Sequence, residues 1–343
     1  MIPKITVWTP VFNGEKFLER SILSVVEQTQ TPFEYIIVDD GSTDSSFQIA
    51  ESYSQKYDWI TVYKNTQNIG IFETSRKVSN LARGNFLYCV ADDDFSASMA
   101  IERFSASIKR WPNAQLFSGQ IQVIDSEEKK VCVEKVSNWN TIDFHNPRDC
   151  LTNYFLKEPA HHSLSAASLI SSKVFRHLGG FNEDLGHWSD TFNLRYIAFD
   201  NGMVYIPEIL HYWTSNHNTL SGCERNNPKE FLKVIHNSAK LMRSDRYKLV
   251  FPEEFVQYWE DGCCHYIIDP ILGSYEYLLL QRNLRFFNAI KDDNLKNKLI
   301  GFLFKYFLII ENNIFTKVIK NKTQSLWSYF TILKHNNSAH KKT

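Results

Sequence analysis

A six-residue apolar, β-prone run, Phe86-Leu87-Tyr88-Cys89-Val90-Ala91, ends abruptly in three carboxylates, Asp92-Asp93-Asp94. The run is short, bounded by Gly84 and by the acids, and reads as a buried strand. Three adjacent anions repel one another, so a fold that places them at a strand end needs positive charge there. A hard cation such as Mg²⁺ or Mn²⁺ meets that need, using one or two carboxylates together with phosphate oxygens of a substrate. The competing reading is a solvated acidic turn. The strand before the acids favours the site, because open α/β sheets bind ligands at the carboxyl ends of their strands.

The rest of the first half alternates in the same way. Ile5–Trp8, Tyr35–Val38, Ile60–Tyr63 and Leu116–Val123 read as further strands. Between them, helical spacing of apolar residues runs over Glu15–Thr29, from Thr43 (as cap) through Tyr53, over Ile71–Leu81 and over Met99–Trp111. Strands alternating with helices of this length predict an α/β fold with a mostly parallel sheet flanked by helices. The polar stretch Asp125–Asn140 reads as a loop or hairpin. Helices are expected near 147–156, 173–178 and 189–199, and a strand over 202–207. From Pro228 the pattern is helical, rich in aromatics and Lys. The expected division is a domain over 1–225 and a helical C-terminal region over 226–343.

Length and composition bound the reading without choosing among enzymes. At 343 residues, 43% hydrophobic and 22% charged, the chain has ample material for a core. Its 38 basic and 38 acidic residues balance, and no nucleic-acid partner is expected. The charge is uneven, however: from Lys291 onward ten Lys face three acids. The six Cys show no CxxC or metal-ligand spacing, which points to a reducing, cytoplasmic setting. No signal-peptide core and no apolar run long enough to span a bilayer is expected. Neither GxxxxGK[ST] nor GxGxxG occurs, which argues against P-loop and dinucleotide-binding proteins.

Several motifs in order resemble those of the family-two glycosyltransferases with the GT-A fold. Thr9-Pro10-Val11-Phe12-Asn13 resembles that family's P-x-Y-N opening, with Phe for Tyr. Val38-Asp39-Asp40-Gly41-Ser42-Thr43-Asp44 is similar to its VDDGSTD element, and Asn68-Ile69-Gly70 with Arg83-Gly84-Asn85-Phe86 to its run into the metal motif. Gly179-Gly180-Phe181-Asn182-Glu183 resembles GGFDE, Ser189–Arg195 a looser E-D-x-x-L-x-x-R, and His217–Ser221 the closing R-x-H-x-x-S-x-S, with Ser215 where its Arg would stand. The resemblance covers residues 4–222.

That resemblance implies a GT-A, Rossmann-like sheet and an inverting transfer of sugar from a nucleotide-diphosphate donor, UDP-linked by preference, to a glycan or lipid-linked hydroxyl. It implies donor contacts at Thr9, Pro10, Asn13, Asp40, Arg76 (or Lys77), Asp92 and Asp93. A Mn²⁺ or Mg²⁺ ion would be held by Asp94 and Asp92, with Asp93 the alternative ligand and His217 completing the shell. Asp190 would be the general base, with Glu183 and Asp184 as fallbacks. His161-His162 read either as lining the acceptor cleft or as surface residues. Asp39 and Asp44 read as turn and capping residues. A sugar nucleotidyltransferase is the alternative, although Pro10–Gly14 lacks the Gly-rich basic loop expected of one. A catalytically inactive nucleotide-sugar-binding module is a third reading. The apolar, Lys-flanked stretch Leu295–Leu333 suggests a buried helix, a homo-oligomer contact or a peripheral membrane surface.

Overall fold

The computed structural model describes residues 2–125, 127–160, 162–215 and 228–272. At the centre lies β1 (Ile5–Val11), almost wholly buried, flanked by β2 (Glu34–Asp39) and β4 (Phe86–Cys89) in parallel register, with β3 (Ile60–Lys64) outside β2. All six residues of β2 are buried, as expected of a parallel strand covered on both faces. Helices α1 (Leu18–Val26), α2 (Ser46–Ser54) and α3 (Gly70–Leu81) make the crossovers. In α1 the residues Leu18, Ile22 and Val25 recur at helical spacing and are buried. Trp8, Ile36, Val38, Val78, Leu87 and Phe175 pack into one core cluster that fixes α3 and a later helix against the sheet.

Beyond β4 the sheet becomes mixed. Its order is β3-β2-β1-β4-β9-β6-β10-β5, with β5 (Phe95–Ser96), β6 (Leu116–Ile124), β9 (Ser168–Ser171) and β10 (Met203–Thr214). β9 lies antiparallel between β4 and β6, whereas β10 runs parallel to β6 and antiparallel to β5. The stretch expected as loop or hairpin forms one: β7 (Lys130–Glu134) folds back antiparallel on β6. A further short strand, β8 (Asp143–His145), pairs with β10.

Several expected helices are trimmed. The first starts at Leu18 rather than Glu15, and Glu15 N–H is bonded to Asp44 of the neighbouring loop. Thr43 does not cap α2; its N–H is taken by Asn13, and Asp44 accepts from Ser46 N–H. The helix expected over 147–156 is one turn, α5 (Pro147–Asp149), capped by Asn146 and running into a π turn, Cys150–Phe155. α4 (Ala100–Arg110), α6 (Ser172–Leu178) and α7 (Ser189–Asn201) fall where the periodicity puts them, and a 3₁₀ turn, Glu183–Trp188, leads into α7.

The chain divides into two compact units. The first comprises Met1–Cys223 together with Asn237–Glu260; the second comprises Glu224–His236 and Asp261–Thr343. Helices α8 (Pro228–Met242) and α9 (Glu253–Leu272) each contribute to both. Residues 237–260 belong with the sheet unit for a physical reason. Phe251 and Phe255 pack on Phe199, and Trp259 packs edge-on against Trp188, so aromatic surface of α7 is covered from this segment.

Candidate functional site

The loops following β1 and β2 are stitched together. Asn13, with a left-handed φ of 54°, donates its N–H to Ser42 Oγ (3.0 Å) and accepts from Thr43 N–H (2.9 Å). Gly14 N–H donates to Ser46 Oγ (2.9 Å) and Glu15 N–H to Asp44 Oδ2 (3.1 Å). Thr9 is fully buried: its hydroxyl donates to Val90 O (2.6 Å) and meets the Tyr35 hydroxyl at 2.8 Å, tying β1 to β2 and β4. Pro10 lies opposite Val38 at the same strand ends.

Asp40, expected to face the donor, instead spends both oxygens inside the protein. Oδ1 accepts from Asn65 Nδ2 (2.8 Å) and Ile69 N–H (2.9 Å), and Oδ2 from Gly70 N–H (2.8 Å). It therefore clamps the turn that starts α3. Neighbouring Asp39 accepts Ser42 N–H on Oδ1, while its buried Oδ2 has no hydrogen-bond partner among the described residues. Arg76 is ion-paired to Glu73 on its own helix. Lys77 donates to Asn65 Oδ1 (2.6 Å) and so reaches Asp40 through one amide.

The acidic turn separates into two roles. Asp94 is buried; its Oδ1 accepts from Thr214 N–H (2.8 Å) and its Oδ2 lies 3.1 Å from His211 Nε2. Both contacts tie it to β10. Asp92 and Asp93 are only partly covered. Burial, and then the charge of Asp94, push the Asp92 carboxyl up to about 7, and the same two causes raise Asp93. Arg20 of α1 holds the turn from behind, donating to Asp93 O (2.6 Å) and Thr214 Oγ1 (3.1 Å), and Thr214 Oγ1 donates to Asp93 O (2.6 Å). Gly14 lies so close that a Cβ there would fall on the Asp92 carboxylate.

Asp190 sits in the first turn of α7, next to buried Trp188. Ser165 Oγ donates to its Oδ2 (2.6 Å), and its Oδ1 accepts the adjacent Thr191 N–H (2.7 Å); the N-cap position of α7 is Trp188, so Asp190 is not the helix cap. Burial outweighs those hydrogen bonds and raises its pKa. Asp190 and the acidic turn lie at one end of the sheet: β9 pairs antiparallel with β4, Leu169 opposite Tyr88, so the Ser165 loop that donates to Asp190 stands beside the β4 end. Burial, and then the charges of Asp94, Asp190 and Asp92, raise the pKa of the Cys89 thiol there. Glu183 and Asp184 lie exposed on the 3₁₀ turn. His162 is buried, with Nε2 2.9 Å from Glu134 Oε2. His161 and His217 lie outside the described residues.

Reading the sequence did not single out Arg20, Thr214, His211 or Ser165. Arg20 stands among helix residues with no motif around it, and the others act only through distant partners. Among the described residues no three His, Cys, Asp or Glu side chains converge on one point. Two partly covered, mutually repelling carboxylates nevertheless fit a Mg²⁺ or Mn²⁺ ion, which takes its remaining oxygens from phosphate and water.

The sequence profile described as Glycosyl transferase family 2 matches residues 6–179. Among curated proteins the chain is 36% identical over 104 residues to a poly(ribitol-phosphate) beta-glucosyltransferase of Bacillus spizizenii, covering 29% of this chain and 16% of that one. It is 27% identical over 215 residues to an uncharacterized glycosyltransferase of Methanocaldococcus jannaschii, covering 61% and 69%. The chain thus spans about a sixth of the first of these relatives. Among solved structures, S. aureus TarS 1-349 in complex with UDP-GlcNAc aligns with a TM-score of 0.58 at 18% identity, covering 85% of this chain and 77% of that one. A mannosyltransferase of Pyrobaculum calidifontis in complex with GDP-Man and Mn²⁺ aligns at 0.55 and 15% identity, covering 96% and 87%. These likenesses establish the shared fold.

Proposed function

Since the chain belongs to glycosyl transferase family 2 and is a glycosyltransferase, we propose that it carries a sugar with inversion from a nucleotide-diphosphate donor, UDP-linked by preference, to a hydroxyl of a glycan or lipid-linked acceptor. The observation that carries this reading is that β9 pairs antiparallel with β4, Leu169 opposite Tyr88, so the Ser165 loop that donates to Asp190 stands at the sheet end that carries Asp92 and Asp93. Asp92 and Asp93 stand at the β4 end, and Asp190, raised by burial, stands at the start of α7.

The donor lies across the ends of β1, β2 and β4. Asp40 serves it indirectly by holding the 65–70 turn, with Lys77 behind Asn65, while the Pro10–Asn13 backbone and Phe12 border the base. Asp92 and Asp93 are the carboxylates that would hold Mn²⁺ or Mg²⁺. When bound, such an ion neutralises the diphosphate and eases its departure. Asp94 supports them through β10 rather than joining them. Asp190 takes the proton of the acceptor hydroxyl; the acceptor oxygen forms the new bond to the anomeric carbon, and the old carbon–oxygen bond breaks toward the diphosphate. A carboxylate whose proton affinity is moderately raised suits that role near neutral pH.

Support for a UDP donor comes from the TarS relative, whose structures hold UDP and UDP-GlcNAc; the archaeal neighbour holds GDP-Man, so the base must be tested. The test is a panel of UDP-glucose, UDP-galactose, UDP-N-acetylglucosamine and GDP-mannose, each with Mn²⁺, read by thermal shift and by release of nucleoside diphosphate. A UDP-sugar should raise the melting temperature by mass action and release UDP. No response to any donor in the panel overturns the reading.

Residues 226–343 are proposed to carry the second function of the chain, contact with a membrane surface or a second copy. The support is the Lys-flanked apolar stretch at 295–333, which lies outside the described residues. Among the described residues no helix is long and apolar enough to cross a membrane. Sedimentation with phosphatidylglycerol vesicles at low and high salt, beside the mass of the protein in solution, separates the two.

A further inference from the structure

Ser165 lies in the loop before β9, in none of the motifs that carry the family resemblance, yet its side chain is hydrogen-bonded to Asp190. Its hydroxyl donates to Oδ2 at 2.6 Å across 25 residues of chain. The other oxygen, Oδ1, is occupied by Thr191 N–H at 2.7 Å. Each carboxylate oxygen therefore carries one donor, which defines the plane of the group and leaves further lone pairs for a substrate proton.

The loop that carries Ser165 is itself held. Ser165 N–H donates to Ser163 Oγ (3.2 Å), Ser168 N–H to Ser165 O (3.1 Å), and Ser168 Oγ to Leu164 O (2.6 Å). Arg195, buried on α7, reaches back to Ala160 O (2.9 Å) and His162 O (3.1 Å) while donating to Thr191 Oγ1 (2.9 Å). The loop 160–168 and the first turn of α7 are thus fastened into one piece, and the Ser165–Asp190 bond lies within it.

We infer that Ser165 is a positioning residue for the transfer reaction: it holds Asp190 in the orientation that receives the acceptor proton and favours its charged form beforehand. The inference rests on the proposed role of Asp190 as base. While Asp190 is ionised, Ser165 donates to it. Once Asp190 has taken the acceptor proton, the same hydroxyl can turn and accept, because it offers lone pairs as well as a proton. The serine keeps its own proton throughout. Around Asp190 the ionisable groups are His187 from the 3₁₀ turn, Arg195 from α7 and the Cys89 thiol from β4; the first two favour the carboxylate as Ser165 does. Removing the hydroxyl leaves burial less opposed.

The experiment compares Ser165→Ala, Ser165→Thr, Asp190→Asn and the double variant, using the most active donor of the panel above, with circular dichroism to check folding. Ser165→Ala should lower kcat about ten- to a hundredfold, the range for loss of a hydrogen bond to a charged group. Donor KM should not change, and the acid limb of the pH–kcat profile should move to higher pH. Ser165→Thr should restore both, and Ser165→Ala should cost nothing further in the Asp190→Asn background. An unmoved acid limb in Ser165→Ala, with Asp190→Asn inactive, overturns the role of Ser165 alone. A fully active Asp190→Asn enzyme overturns the base assignment and this inference with it.

Discussion

His211 Nε2 lies 3.1 Å from Asp94 Oδ2, and both side chains are closed off from solvent. The other imidazole nitrogen, Nδ1, is 2.9 Å from the Tyr88 hydroxyl, so one chain of polar contacts runs from β4 through β10 to the acidic turn. With Thr214 N–H on Oδ1, the third carboxylate of the turn helps to fix where the first two stand.

The three acids should therefore respond differently to substitution. Asp94→Ala leaves His211 and Thr214 N–H without their partner in the core. Leaving a buried hydrogen-bonding group without its partner typically costs about 1–3 kcal/mol. Asp93→Asn removes a repelled, half-covered charge and should be neutral or stabilising while weakening the response to Mn²⁺. Urea denaturation and Mn²⁺ titration of the two variants check this. An Asp94→Ala protein as stable as wild type would return Asp94 to the site.

The contribution of Asp92 and Asp93 to the stability of the metal-free protein should fall as pH rises. For a carboxyl whose folded pKa is raised, the contribution is fully present below the unfolded value and lost as pH rises through the folded one. For Asp92 that window runs from 3.8 to about 7, and Asp93 adds to it in the same direction. The melting temperature of wild type minus that of an Asp92→Asn/Asp93→Asn variant should decline across this window. Mn²⁺ should oppose the decline more strongly at higher pH, because the ion binds the deprotonated form. A flat difference would mean that these carboxyls ionise as they do in water.

How much of this was legible beforehand depended on whether a residue's role is local. β1, β2 and β4 could be read because each is a short buried run ended by polar residues, and α1 and α3 because their apolar spacing is helical. Asp190 could be singled out through the motif it resembles. The antiparallel insertion of β9 between β4 and β6 was not legible, since no local pattern encodes a strand's neighbours. Nor was the split within Asp92-Asp93-Asp94: three identical side chains take different roles because β10, more than a hundred residues away, brings His211 and Thr214 to only one of them. Asp40 followed the same logic, claimed by a turn that its own motif does not contain.

Asp190→Asn should keep the donor-induced thermal shift and lose transfer by about 10²–10⁴-fold, the usual range for a general base. It should also melt slightly higher than wild type, because a carboxylate that burial disfavours becomes a neutral amide. Parallel thermal-shift and turnover assays test both halves. Loss of the donor shift along with turnover would place Asp190 in donor binding instead.

Gly14→Ala tests how close the β1 loop must come to the acidic turn. A Cβ at Gly14 would meet the Asp92 carboxylate, so either the loop or that side chain must move. Overpacking of this kind costs about 1–3 kcal/mol. Here the displaced group is one proposed to hold the ion, so the response to Mn²⁺ and donor should fall well beyond what the stability loss explains. Gly179→Ala is the matched control: its φ of 82° strains any side chain, but nothing lies within 4 Å of its Cβ position. It should lose stability by a similar amount and keep its donor response. Equal donor responses in the two variants would show that Asp92 tolerates displacement and does not hold the donor or its ion.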